Sequence, residues 1–234
     1  MKYVQKWGAP HQYRRWCREV KGTNKEDYRE IPGGMKLAVL AALVKEQGEI
    51  CAYTMKRIDA QNSHIEHIKP ESLCRSDRKG SDLDFDNMLA CFPRDGMSRA
   101  CRYGAQKKDH WWDSSLFISP LICSCEQRFR FNLEGEISVV GSNAAARKTI
   151  EVLALDHATL TEDRRRAIHE FIYGKGGDRP LSKAKATQLS HGICNRTGGH
   201  FVEFCVAFRD ALEEYTRYVE KMARRREFAK RAAR

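Results

Sequence analysis

The spacing of apolar residues changes several times along the chain, and each change marks a different kind of segment. Residues 1–32 are polar and basic, with Trp7, Tyr13, Trp16 and Tyr28 interspersed. Pro32-Gly33-Gly34 breaks the chain. Leu37, Leu40, Ala41 and Val44 then recur at helical spacing, which predicts a helix over 35–47 ended by Gly48. From 49 the helical period stops. Two short strands are predicted, 49–53 and 63–68, the second closed by Pro70. Residues 85–90 begin a helix or a turn, and 94–102 read as a loop. The run from Arg128 to Ile137 alternates and turns at Glu134-Gly135, which predicts a hairpin. Beyond 143 the pattern is helical. Asn143 is placed to cap a helix reaching Leu155. Thr161-Glu162-Asp163 suits the start of a second helix ending at Tyr173. A short helix over 182–190 follows. In the last segment, 200–232, Phe201, Phe204, Cys205, Phe208, Ala211, Leu212, Tyr215 and Val219 fall on one face.

These elements predict an α+β protein in three parts. Residues 1–48 form a basic, helical N-terminal segment, 49–113 a small irregular core, and 114–234 a hairpin followed by a mainly α-helical region with a basic tail. The middle part is rich in Cys, His and Asp and poor in apolar periodicity. Such a segment depends on a metal or on its neighbours for stability.

Charge and cysteines narrow the class. The 234 residues carry a formal net charge of +11, which suits a polyanionic partner because each phosphate contact releases counterions. The first twenty residues hold no long apolar run, and the most apolar stretch, 37–44, is too short to span a bilayer. A cytoplasmic protein without a membrane partner is expected. Nine cysteines, an odd number, point to metal ligation or buried thiols rather than disulfides.

The densest chemistry is His64-Ile65-Glu66-His67-Ile68. Hydrolysing a phosphodiester takes a base for water, a divalent ion for the developing charge, and a scaffold that orients the base. An imidazole suits the base and a carboxylate suits magnesium or manganese. On a strand, His64 and Glu66 share one face and His67 points the other way. A bend at Lys69-Pro70 would still let both faces flank one phosphate.

Cys51, Glu66-His67, Asn87, Leu89, Cys91 and Cys101 occur in an order that resembles the HNH endonucleases. The resemblance implies a ββα-metal core, with His67 as general base and Glu66 as a ligand of Mg2+ or Mn2+. It implies that Asn87 braces the loop and orients the base. His64 is a second ligand or a brace, and Lys107 or a nearby Arg steadies the phosphate. Two positions depart from the pattern. Thr54 stands where the zinc knuckle has its second cysteine, leaving Cys51, Cys91 and Cys101 either as ligands of a structural Zn2+ or as buried thiols, with Cys74 or His110 as a candidate fourth ligand. The short helix lacks the family's last His or Asn ligand, so Gln106, His110 or water completes the shell.

The similarity continues through Asp109-His110-Trp111-Trp112-Asp113, Phe117 to Leu121, the predicted hairpin and the helix around Thr149 to Leu153. This stretch resembles the PtuB subgroup, nuclease partners of an ATPase in Septu and retron anti-phage systems. It implies a nucleic-acid substrate, DNA or RNA, a PtuA-type ATPase partner, and a retron reverse transcriptase with its RNA/DNA product. No phosphate-binding Gly-x-x-x-x-Gly-Lys-Ser/Thr occurs, so any ATP belongs to another chain. The competing reading is a nucleic-acid-binding or scaffold subunit whose catalytic site has decayed. Cys123-x-Cys125 reads as structural or surface thiols, and His191, Cys194 and His200 as a polar loop. Trp111 and Trp112 either pack or stack a base. The tail from Arg217 to Arg234, with eight Lys/Arg against two Glu, either meets phosphates or is a solvated end.

Overall fold

The computed structural model describes residues 1–94, 96 and 101–232. They form a mixed α+β structure with two small antiparallel sheets and a mainly helical C-terminal region. The predicted loop over 94–102 lies largely outside the described residues.

The first sheet is a pair, β1 (His64–His67) and β2 (Met88–Cys91), with His64 opposite Cys91 and His67 opposite Met88. It differs in part from the two predicted strands, 49–53 and 63–68. Residues 49–53 form no strand: Glu49 and Met55 both have positive φ, and within a tight loop the Met55 N–H donates to the Cys51 carbonyl and the Cys51 N–H to the Lys56 carbonyl. The second strand is the run Met-Leu-Ala-Cys, buried on both faces. A strand without alternation carries no period that separates it from a buried helical turn. The outer edge of β2 is closed by one side chain. The Gln47 amide accepts from the Ala90 N–H at 2.7 Å and donates to the Ala90 carbonyl at 2.8 Å, as a neighbouring strand would.

The helices of the first half of the chain include one that lies between these two strands in sequence. They are α1 (His11–Val20), α2 (Gly33–Glu46), α3 (Glu71–Asp77) and α4 (Ala105–Lys108). The C-terminal region adds α5 (Ala144–Leu153), α6 (Ala158–Tyr173), α7 (Lys183–Gly192) and α8 (Cys205–Ala232). In α2 the buried face is Val39, Leu40, Leu43 and Val44, whereas Leu37 is 61% exposed. The predicted stripe is therefore rotated: the helix is apolar nearly all round, and tertiary packing chooses its face. Glu46, at the end of α2, is buried against the N-terminal segment. It accepts from Lys6 at 2.5 Å and from the Trp7 N–H at 2.9 Å. Lys6 also donates to the Met88 carbonyl, which ties this segment to β2.

The predicted hairpin is present as β3 (Phe129–Phe131) and β4 (Ile137–Val139). Asn143 caps α5, accepting from the Ala146 N–H at 2.8 Å. Helix α6 begins three residues before the predicted start, with the His157 ring as its cap. The buried Arg164 of α6 donates to the Gly135 carbonyl at the hairpin turn and to the Leu155 carbonyl after α5. One buried apolar cluster joins the N-terminal segment, the first sheet and the C-terminal helices. The early part of α8 lies within it, through Phe208, Ala211, Leu212 and Tyr215, and Phe228 near its end is exposed.

Candidate active site on the first hairpin

β1 places His64 and Glu66 on one face of the strand, as period two requires. The Nδ1 of His64 is 2.5 Å from the Pro93 carbonyl oxygen. A carbonyl only accepts, so Nδ1 carries the proton and the Nε2 of the neutral ring keeps its lone pair. That lone pair is 4.0 Å from Oε2 of Glu66. A backbone carbonyl fixing the far nitrogen is the arrangement that orients a ligating imidazole.

The other Glu66 oxygen is taken. Oε1 accepts from Nζ of Lys108 at 2.8 Å, and the same ammonium donates to the His67 carbonyl at 3.1 Å. Burial pushes the Glu66 carboxyl above its ordinary value; Lys108 and His64 oppose that rise without cancelling it. Lys108 itself is buried at the end of the one-turn helix α4, while its neighbour Lys107 is exposed.

His67 is buried on the opposite face of β1, edge-on to Tyr28 with ring centroids 4.6 Å apart. Its Nε2 lies 2.9 Å from the Asp82 carbonyl and must donate, which leaves Nδ1 unprotonated in the neutral ring. Nδ1 is 3.7 Å from Oε1 of Glu71 in the first turn of α3. Burial lowers the His67 pKa, and the Asp82 carbonyl and the Glu71 charge oppose this only in part. The ring is thus neutral at pH values where a free imidazole is still partly charged.

Asn87 clamps the bend that follows. Its Oδ1 accepts from the Lys69 N–H and its Nδ2 donates to the Lys69 carbonyl, each at 2.8 Å, while its own carbonyl accepts from the Ile68 N–H. The Cys74 sulfur accepts a further bond from Nδ2 at 3.3 Å, so Cys74 belongs to this brace and not to the cysteine corner. A cleft of 350 Å³ opens between these elements, lined by His64, Glu66, His67, Gln106, Asp109 and His110 among others. The structure therefore gathers His64, Glu66, His67 and Gln106, holds Asn87 behind them, and leaves Lys107 off the cleft wall.

The cysteine corner adjoins the hairpin at Cys91, which pairs with His64 across the two strands. Cys51 and Cys91 are both fully buried. Burial alone would raise the Cys51 thiol, but hydrogen bonds from Cys91 and Thr54 and from backbone N–H groups bring it below its ordinary value; burial drives Cys91 up. Cys101 is half-buried and donates to the Tyr103 carbonyl at 3.4 Å. Among the described residues no three or more His, Cys, Asp or Glu side chains form a group able to hold a metal ion.

No protein-family model matches the chain. Among curated proteins it is similar to the "Retron Vc95 putative HNH endonuclease" of Vibrio cholerae serotype O1 biovar El Tor. The two are 30% identical over 146 residues, covering 60% of this chain and 68% of the relative. The chain belongs to this retron-associated HNH family.

For an HNH protein the donor set of the cleft is informative. One imidazole lone pair and one carboxylate oxygen 4.0 Å apart can both reach a single ion at bond lengths of about 2.1 Å. The residues fit a divalent ion with two protein donors, the remainder being water or phosphate oxygen. Lys108, Arg75, Asp82 and Tyr28 also shape this HNH cleft and were not singled out as site residues from sequence. Arg75 bonds Glu71 at 3.1 Å and the buried Asp82 at 3.2 Å, which fixes α3 against the residues behind His67. The adjacent lysines 107 and 108 were the available signal, but a one-turn helix has no period to show which of them faces inward. Among the described residues no helix is long and apolar enough to cross a membrane.

Proposed function

We propose that this protein is a metal-dependent HNH endonuclease that hydrolyses nucleic-acid phosphodiester bonds, DNA by preference. The observation that carries the reading is His67: its Nε2–H is committed to the Asp82 carbonyl, and Nδ1 keeps a lone pair 3.7 Å from Glu71, in the cleft that Glu66 and His64 also line. In the reaction Nδ1 takes a proton from water. The water oxygen bonds to phosphorus as the bond to the leaving sugar oxygen breaks. Asn87 holds the bend that sets the His67 ring. Glu66 and His64 would hold Mg2+ or Mn2+, with Gln106 at the cleft edge, and the ion would neutralise charge developing on the phosphate. Lys107, exposed on α4, meets a flanking phosphate. The basic charge of the chain, +11, favours the polyanion.

The physiological setting consistent with this reading is a PtuB-type effector working with a PtuA-type ATPase, and with a retron reverse transcriptase and its RNA/DNA product. The name of the Vibrio relative supports the retron part of that setting. A second reading is a nucleic-acid-binding subunit with a decayed site. The Lys108–Glu66 pair and the absence of a three-ligand cluster among the described residues favour it. Both readings meet in one assay: cleavage of DNA and RNA with Mn2+ or Mg2+, by wild type and His67→Ala, each with the ATPase partner. Wild-type cleavage lost in His67→Ala supports the nuclease. Equal cleavage by both removes His67 as the base, and no cleavage by either favours the decayed site.

A further inference from the structure

The buried cation beside the candidate metal ligands has a consequence for how this cleft takes up an ion. Lys108 has a fully buried side chain and spends its ammonium on Oε1 of Glu66 and the carbonyl of His67. His64 donates its Nδ1–H to the Pro93 carbonyl and turns Nε2 toward Glu66. Glu66 and Lys108 therefore sum to no net charge. Arg75 bonds both Glu71 and Asp82 and so balances one of their two charges, and Asp109, which lines the cleft, lies beside His110. A divalent cation reaching Oε2 of Glu66 and Nε2 of His64 meets a carboxylate whose charge an ammonium on its other oxygen already balances. Magnesium sites are commonly built from one or two carboxylates together with substrate phosphate, because the ion gives up its waters reluctantly. A phosphodiester entering the cleft supplies the anionic oxygen that the neutralised Glu66–Lys108 pair does not.

We propose that Lys108 is a resident counter-ion of the cleft, keeping its affinity for a free divalent cation low so that the ion binds together with substrate phosphate. The inference rests on the cleft being the nuclease centre, and it makes Lys108 a positioning residue that sets the order of assembly. It also gives the buried pair a role besides packing. Removing the ammonium leaves Glu66 with both oxygens available to the ion.

The test is manganese binding followed by electron paramagnetic resonance on the full chain carrying His67→Ala, which prevents turnover. Without nucleic acid, Lys108→Met is expected to bind Mn2+ at least tenfold more tightly than its parent. A short DNA oligonucleotide is expected to tighten Mn2+ binding by the parent at least tenfold, counted against Glu66→Gln, which retains manganese held by the DNA alone. If a folded Lys108→Met binds Mn2+ no better than its parent, the proposal is overturned. If the parent binds Mn2+ equally well with and without the oligonucleotide, it is overturned even where Lys108→Met fails to fold. Neither arm depends on cleavage, so failure of the nuclease reading and failure of this one are seen separately.

Discussion

The β1–β2 hairpin serves two corners of the molecule, and the two have been kept in different ways. On one side His64, Glu66 and His67 face or border an open cleft, and each has a defined partner: the Pro93 carbonyl, Lys108 and the Asp82 carbonyl. Next to it, behind Cys91 of β2, Cys51, Thr54 and Cys91 are buried. Their polar atoms are spent on each other and on nearby backbone N–H groups. A closed corner needs filled volume and satisfied hydrogen bonds, and neighbouring segments can supply both. Lys2 donates to the Ala52 carbonyl, Phe204 to the Met55 carbonyl, and Gly104 to the Leu153 carbonyl. An open corner that performs chemistry requires particular atoms at particular places, and a filled volume does not replace them.

The sharpest way to break this comparison is to remove one atom set on the open side. His67→Ala is expected to lower cleavage by about 10²- to 10⁴-fold, the usual contribution of a positioned acid–base group, with the circular dichroism spectrum unchanged. Behind it, Asn87→Ala takes away both bonds to Lys69 and leaves that backbone unpaired. A stability loss of about 1–3 kcal/mol is expected in urea unfolding, together with reduced cleavage. An unchanged urea midpoint would show that the bend does not depend on Asn87.

The closed side should respond weakly. Chelation with EDTA is expected to leave the thermal midpoint where it was, since the thiols hydrogen-bond within the protein; a fall on chelation, with zinc released, would restore the zinc knuckle. Smaller still is Tyr53→Phe. The Tyr53 hydroxyl is buried without a partner among the described residues. Its removal is expected to be neutral or stabilising, within about 0.5 kcal/mol, because no bond is lost and one desolvated group disappears. A loss of more than about 1.5 kcal/mol would mean that the hydroxyl is satisfied in solution.

The same contrast governs how much could be read before the fold. His64, Glu66, His67 and Asn87 were legible because spacing along one strand and one bend fixes their relation, and the structure brings them together. The helices after 143 were legible from their periods and from the Asn143 cap. β2 was not, since Met88 to Cys91 is buried on both faces and shows no alternation. The face of α2 was missed because so many of its positions are apolar that the surroundings select among them. Lys107 drew attention where Lys108 does the pairing, because that choice depends on how one helical turn is set by Gly104 and Asp109, both at positive φ.

The most direct measurement is the pH dependence of single-turnover cleavage by wild type and Glu71→Gln. Burial disfavours the imidazolium of His67, so the base form is reached at lower pH than in a free imidazole. Activity should rise with pH through an acidic limb below about 6.5, the free-imidazole value. The Glu71 charge favours the imidazolium, so Glu71→Gln should move that limb further toward acid. A limb above the free-imidazole value, or one that Glu71→Gln leaves in place, would contradict His67 as the buried, neutral base of this site.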